Sequence, residues 1–305
     1  MSSENNVQSV ITPPDQAERF NLVETAGPWP FITYRSYRTP SGAIATWQSR
    51  NHRKSLHAAR DDHSVRAVIL QLRVLWRPRE LNWWIAVIFS LGASLFVLGS
   101  ALSLAPSLAQ NWSLDSTAVN AIFFLGSIPF TSAAYMQLFQ AANAGAFTPS
   151  GTRPRPRIST FGWHPHDIGW LSTALQFVGT LLFNVNTFDA LHPGFDWLQQ
   201  DLAIWVPDFF GSLLFLISGY LAFVETCHAH FAWRPDNLSW WVTLSNLIGC
   251  VAFMISAAYA FVPPTPMDFE ATRLSLQFTL IGAVGFLLGS LLMLPESAGA
   301  PAAVS

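Results

Sequence analysis

The chain has 305 residues, of which 51% are hydrophobic, 14% aromatic and only 11% charged, with a formal net charge of −2. Soluble domains carry about 25% charged residues, so a surface this poor in charge has to face lipid. The balance leaves no basic field for nucleic acid, which is not expected as a partner. The two cysteines, Cys227 and Cys250, are too few for a disulfide-built secreted scaffold.

Residues 1–18 are polar and read as a disordered tail, without the apolar stretch of a cleaved signal peptide. Residues 19–76 form an N-terminal segment. There Phe31-Ile32-Thr33-Tyr34 and Ala43-Ile44-Ala45-Thr46-Trp47 flank the turn sequence Thr39-Pro40-Ser41-Gly42, which predicts a β-hairpin over Phe31–Arg50. An isolated hairpin is marginal in water, so this one has to pack on something. The spacing then predicts an amphipathic helix from Ser55 to Trp76. Val65, Val68, Ile69, Leu72 and Trp76 share one face, and Arg60, Arg66 and Arg73 project as cations. Two readings stand side by side: the helix packs on its own hairpin, or residues 55–79 lie against anionic inner-leaflet lipids.

Six stretches then meet the roughly 20 apolar residues that a bilayer crossing requires. They are Trp83–Leu104, Ala118–Ala142, Ile168–Phe188, Val206–Val224, Trp240–Val262 and Leu274–Leu294. Asp208 is the one charge within them. The runs are continuous rather than alternating, which predicts helices and not a barrel. Of the 16 Lys and Arg, eleven lie between Arg19 and Arg79, three more are Arg153, Arg155 and Arg157, and Arg234 lies between spans four and five. Only Arg273 falls on the opposite side. The positive-inside rule therefore puts both termini in the cytoplasm, with the bilayer itself as the main partner.

The spans repeat. Trp76-Arg77-Pro78-x-x-Leu81-x-Trp83, Trp163-His164-Pro165-x-x-Ile168-x-Trp170 and Trp233-Arg234-Pro235-x-x-Leu238-x-Trp240 introduce spans one, three and five. Every span carries a glycine, then a phenylalanine four residues later. The pairs are Gly92/Phe96, Gly126/Phe130, Gly179/Phe183, Gly211/Phe215, Gly249/Phe253 and Gly282/Phe286. A small residue follows after four more: Ser100, Ala134, Thr187, Gly219, Ala257 or Ser290. These positions share a helix face and predict close helix packing. The expected fold is an all-α membrane protein with six transmembrane helices as three repeated helical hairpins, over 77–143, 164–226 and 234–296. A small cytoplasmic N-terminal segment and a disordered tail at 297–305 complete it. Parallel repeats of this kind are related by an axis along the membrane normal. Gln140, Glu225 and Glu296 end the even spans on the side of Arg77, His164 and Arg234, which predicts a carboxylate–cation clasp between hairpins.

Candidate chemistry is sparse. His164, His166, Asp167, Glu225, Cys227, His228 and His230 gather ligand-type side chains at one end of the second hairpin, although their spacing matches no named metal motif. Interfacial polar residues are the alternative reading, and no other cofactor is expected. Asn184, Asn186 and Asp208 could line a polar pocket; their alternatives are inter-helix hydrogen bonds for the asparagines and a helix-start position after Pro207 for Asp208. No catalytic motif is present, so no catalytic residue is assigned.

The Trp-Arg/His-Pro motifs at Trp76 and Trp233, and the run Val178-Gly179-Thr180-Leu181-Leu182-Phe183-Asn184, resemble multi-pass bacterial membrane proteins. The terminal Gly282-Ala283-Val284-Gly285-Phe286-Leu287-Leu288-Gly289-Ser290, ending near Pro295-Glu296, is similar to the YrhK-like membrane domain. The resemblance covers roughly residues 76–296. It implies the bacterial inner membrane and supplies no activity or site residue. The expected role is that of a non-enzymatic membrane scaffold or regulatory protein. A transporter or channel for a small neutral solute is the alternative, and a membrane enzyme using the His/Cys/Glu set is the third reading.

Overall fold

The computed structural model describes residues 21–39, 41–56, 75–145, 158–192, 194–262 and 269–296. Six of its helices are long and apolar enough to cross a bilayer, and the protein is a multi-pass membrane protein. In chain order the elements are strands β1 (Asn21–Ala26), β2 (Tyr34–Arg38) and β3 (Ile44–Gln48), followed by the short helix α1 (Ser49–Arg53). The spanning helices are α2 (Leu81–Leu104), α4 (Ser116–Ala142), α5 (Ile168–Asp189), α6 (Trp197–Cys227), α7 (Leu238–Tyr259) and α8 (Phe269–Glu296), with α3 (Pro106–Asn111) between the first two. Each predicted span lies within or close to its helix. The fourth begins nine residues earlier than the apolar run, because a π-helical turn over Asp201–Trp205 joins Trp197–Gln200 to the rest of α6.

The expected hairpin is present as β2 and β3, with Tyr34 opposite Gln48 and Arg38 opposite Ile44. It begins three residues later than predicted. A third strand, β1, pairs antiparallel with β2, and the chain enters α1 directly after β3. The predicted helix over Ser55–Trp76 falls largely on 57–74, outside the described residues, as do the tails 1–18 and 297–305.

The tryptophan motif has a local cause. In each copy a turn brings the residue three positions after Arg77, His164 or Arg234 back to that residue's carbonyl, at 3.0, 2.9 and 3.0 Å. Proline follows the first turn residue, where its fixed φ suits the turn. The last tryptophan then folds over it: the indole N–H of Trp83, Trp170 and Trp240 donates to the carbonyls of Leu75, Phe161 and Ala232 at 2.7, 2.8 and 2.9 Å. The two tryptophans of each copy meet edge to face at 5.0 to 5.5 Å.

Each long helix packs on two neighbours. The order α2, α4, α5, α6, α7, α8 follows the chain, and α8 returns onto α2, so the six form a closed ring. The glycines govern the approach within each hairpin. A Cβ on Gly249 would lie 3.0 Å from the Gly282 carbonyl oxygen, and one on Gly282 would lie 2.5 Å from the Phe253 ring. Gly92 with Gly126, and Gly179 with Gly211, make the same exchange: each glycine sits under its partner's phenylalanine and against its partner's glycine carbonyl. The phenylalanines point inward. Phe96, Phe130, Phe183, Phe215, Phe253 and Phe286 are each no more than 6% exposed. Their rings meet across the axis, with Phe130, Phe215 and Phe286 in mutual contact at 5.4 to 6.3 Å. Such ring pairs add about 0.5–1.5 kcal/mol each beyond the area they bury.

Gly282→Ala has to displace Phe253 and is expected to cost about 1–3 kcal/mol through overpacking. Thermal unfolding in detergent checks this. Gly194→Ala, at a loop position with open space around it, is expected to leave the midpoint unchanged.

Candidate functional site

The helices α4, α6 and α8 each carry a polar residue at or near their C-terminal ends: Gln140, Glu225 and Glu296. A carboxylate at a helix C-terminus opposes the helix dipole. Here both carboxylates are also buried, Glu225 at 0% and Glu296 at 8% exposure. A buried charge has to be paired. The partners come from α1, which has only five residues and depends on tertiary contacts to hold its shape.

Glu225 accepts hydrogen bonds from the Ser49 hydroxyl and, at 2.7 Å, from the Arg53 guanidinium. Glu296 accepts from Arg50 at 2.9 Å, from Lys54 at 2.6 Å and from Ser239 at 2.6 Å. Gln140 donates to Asn82 at 3.0 Å, and Asn82 donates to the Lys54 carbonyl at 2.7 Å. Asn82, Gly169 and Ser239 occupy the same position of the tryptophan motif. A Cβ on Gly169 would collide with Arg53 Nε, so glycine lets the guanidinium reach Glu225. Thr33, the residue before β2, adds one more tie: His228 Nδ1 lies 2.9 Å from its hydroxyl. The clasp predicted between hairpins is therefore replaced by one between the helix ends and α1. Arg77 pairs with Glu80 at 2.8 Å, and α1 supplies the charges that Glu225 and Glu296 need.

Beneath α1 lies a polar chamber of about 50 Å³. Arg50, Arg53 and Lys54 form its roof, and Phe89, Phe215 and Phe286 line its base. Its walls carry three carboxamides, one per hairpin: Gln137, Gln176 and Asn246. Below the chamber the six phenylalanine rings leave a gap of about 10 Å³, bordered by Ser127, Thr180 and Ala283. A water needs at least about 10–15 Å³ and several polar partners, so this narrow, apolar level disfavours water.

The residues singled out from sequence do not assemble into this site, apart from Glu225. His164 and His166 are exposed, and Asp167 caps α5 by accepting from the Trp170 N–H at 3.0 Å. Cys227 lies 3.6 Å from the Ala232 carbonyl, and His230 bonds Tyr220 at 2.9 Å. Among the described residues no three His, Cys, Asp or Glu converge as metal ligands. Asn184 accepts from Thr131 at 3.1 Å, joining α4 to α5. Asn186 and Asp208 do not line the chamber. The helix-packing glycines and phenylalanines are all buried between helices. Sequence reading missed the α1 cations and the three carboxamides. The available signals were two buried acids in want of partners and single amides within apolar spans.

Protein-family models, characterised proteins and solved structures contain no match to this chain.

Burial, with Arg50 alongside, pulls the Lys54 ammonium down to about 7 from an ordinary 10.5. Glu225 holds the Arg53 guanidinium above its usual value despite burial. Lys54 is the chain's only lysine, so ¹³C-lysine labelling gives one side-chain signal, expected to titrate near 7. Because the folded value is the lower one, this group's contribution to stability is full above 10.5 and is lost as pH falls to about 7. Lys54→Met leaves Glu296 with Arg50 and Ser239 and is expected to keep or raise the unfolding midpoint at neutral pH. Arg53→Met leaves Glu225 buried with Ser49 alone and is expected to cost about 3–5 kcal/mol. Equal losses in the two variants would contradict this assignment.

Proposed function

We propose that this protein is a non-enzymatic scaffold or regulatory protein of the bacterial inner membrane, related to YrhK-like proteins. In this reading it presents the β1–β3 sheet on the cytoplasmic side. The observation that carries the reading is the phenylalanine seal: six buried rings close the axis and leave a gap of about 10 Å³. A second support is that α1 is fastened to the helix ends by buried ion pairs, which couples the sheet to the membrane domain. Orientation rests on Arg77, Arg79 and Arg234 at the capped face. In the same reading, the arginines of residues 55–79 engage anionic inner-leaflet lipids. No cofactor is invoked.

Passage of a small neutral solute is the second reading, favoured by the polar chamber on one side of the seal. Stopped-flow permeability of proteoliposomes separates the two. Glycerol and urea are expected to cross at the rate of protein-free vesicles, and faster flux would favour the second reading. Orientation is checked separately with single cysteines in a background lacking Cys227 and Cys250. A membrane-impermeant maleimide added to intact cells is expected to label Asn111→Cys and to spare Ser41→Cys. The reverse pattern would invert the topology.

A further inference from the structure

The chamber beneath α1 is one-sided in its chemistry, with three cations and no carboxylate in its lining. Three cations meet two carboxylates there: Arg50, Arg53 and Lys54 against Glu225 and Glu296. Both carboxylates already accept from α1 and from a hydroxyl, and neither lines the chamber. With Lys54 protonated, one positive charge is left in surplus at the roof. The next acid, Asp167, also attracts Arg53, but it is solvent-exposed and spends an oxygen on the α5 N-terminus, so water weakens its effect.

The donors are also unspent. Arg53 is 6% exposed, and its Nε has no hydrogen-bond partner. Among the described residues the side-chain amides of Gln137, Gln176 and Asn246 make no hydrogen bond to protein. The chamber's hydroxyls, by contrast, are engaged: Ser172 and Ser218 bond each other's carbonyls at 3.0 and 2.7 Å. Of these groups Arg53 Nε is fully buried, and an unmade buried hydrogen bond costs about 1–3 kcal/mol, while the three amides line the cavity without a protein partner, so the cavity calls for an occupant. The space of about 50 Å³ admits a few waters or one small solute.

We infer that this chamber is a binding site for a small monovalent anion, of the halide or nitrate class, held between the α1 cations and the amides of Gln137, Gln176 and Asn246. The amide N–H groups donate to the anion from all three hairpins, and its charge offsets the surplus at the roof. A cation is repelled by three like charges overhead. A large or multivalent anion exceeds both the volume and the single surplus charge. Water alone can satisfy the donors but leaves the charge uncompensated. The site is independent of the scaffold reading, because it ends above the phenylalanine seal.

The test uses full-length protein in detergent, with the ¹³C signal of Lys54 as reporter. Bromide, exchanged for gluconate at constant ionic strength, is expected to shift that signal saturably. Gln176→Leu/Asn246→Leu removes two donors and keeps the apolar volume, and is expected to weaken the response at least about tenfold, the equivalent of about 1.4 kcal/mol. Circular dichroism and gel filtration verify that the variant is folded. Should it not fold, the single variant Gln137→Leu takes its place. Absence of a saturable response in the native protein overturns the proposal. So does an undiminished response in the folded variant, which assigns bromide to another place, or an equal response to urea, which assigns the chamber to neutral ligands.

Discussion

Helices within lipid gain nothing from the hydrophobic effect when they associate, since lipid tails are as apolar as leucine. What holds them is close packing of surfaces that allow backbones to approach. The glycine–phenylalanine exchange meets that constraint three times over, and the rest of the molecule depends on it. Each glycine takes its partner's ring against bare backbone, as between Gly249 and Phe286 or Gly282 and Phe253. Because both helices of a hairpin carry the motif at one depth, all six rings arrive at one level of the axis. The seal is therefore a by-product of how the hairpins pack.

The same regularity puts Gln140, Glu225 and Glu296 at or near the C-terminal ends of α4, α6 and α8. There the threefold pattern breaks. One end is neutral and closes on Asn82; the other two are acids and draw in α1. Buried ion pairs are weak evidence of net stability, since apolar replacements of equal volume often do as well. Their effect here is positional. The observed placement of α1 satisfies Glu225 and Glu296 together while leaving the Lys54 carbonyl for Asn82. The chamber is the space left between this fixed roof and the phenylalanine floor. It too departs from threefold symmetry, with Phe89 standing where the other hairpins carry Gln176 and Asn246.

Much of the membrane domain was legible because its signals are local and periodic. Span lengths follow from apolar runs, and one Gly-x-x-x-Phe spacing was enough to identify the packing face of all six helices. The N-terminal segment was less so. β2 and β3 announce themselves through their turn, whereas β1 pairs across a connection without a tight-turn signature. The cations of α1 are distant in sequence from their partners, 246 positions in the case of Arg50 and Glu296. Arg77 and Arg234 were nearer along the chain and on the right side, yet the turn after each tryptophan leaves Arg77 beside Glu80. His228 and Cys227 drew attention as ligand types. Their surroundings explain them differently: His228 ends α6 with a left-handed φ of 56° and bonds Thr33 just before β2, and Cys227 is enclosed at the helix end. Gln137, Gln176 and Asn246 carry no motif, and only the folded ring places them around one space.

The central claim is that the six rings close the axis to water while leaving room above them. Ala283 borders the gap between the rings and offers the most direct probe. In a background lacking Cys227 and Cys250, Ala283→Cys should resist a small water-soluble thiol reagent applied from both sides of the membrane, and should react once the protein is unfolded. Rapid modification of Ala283→Cys in the folded protein would mean that water reaches the ring level, and would contradict the account.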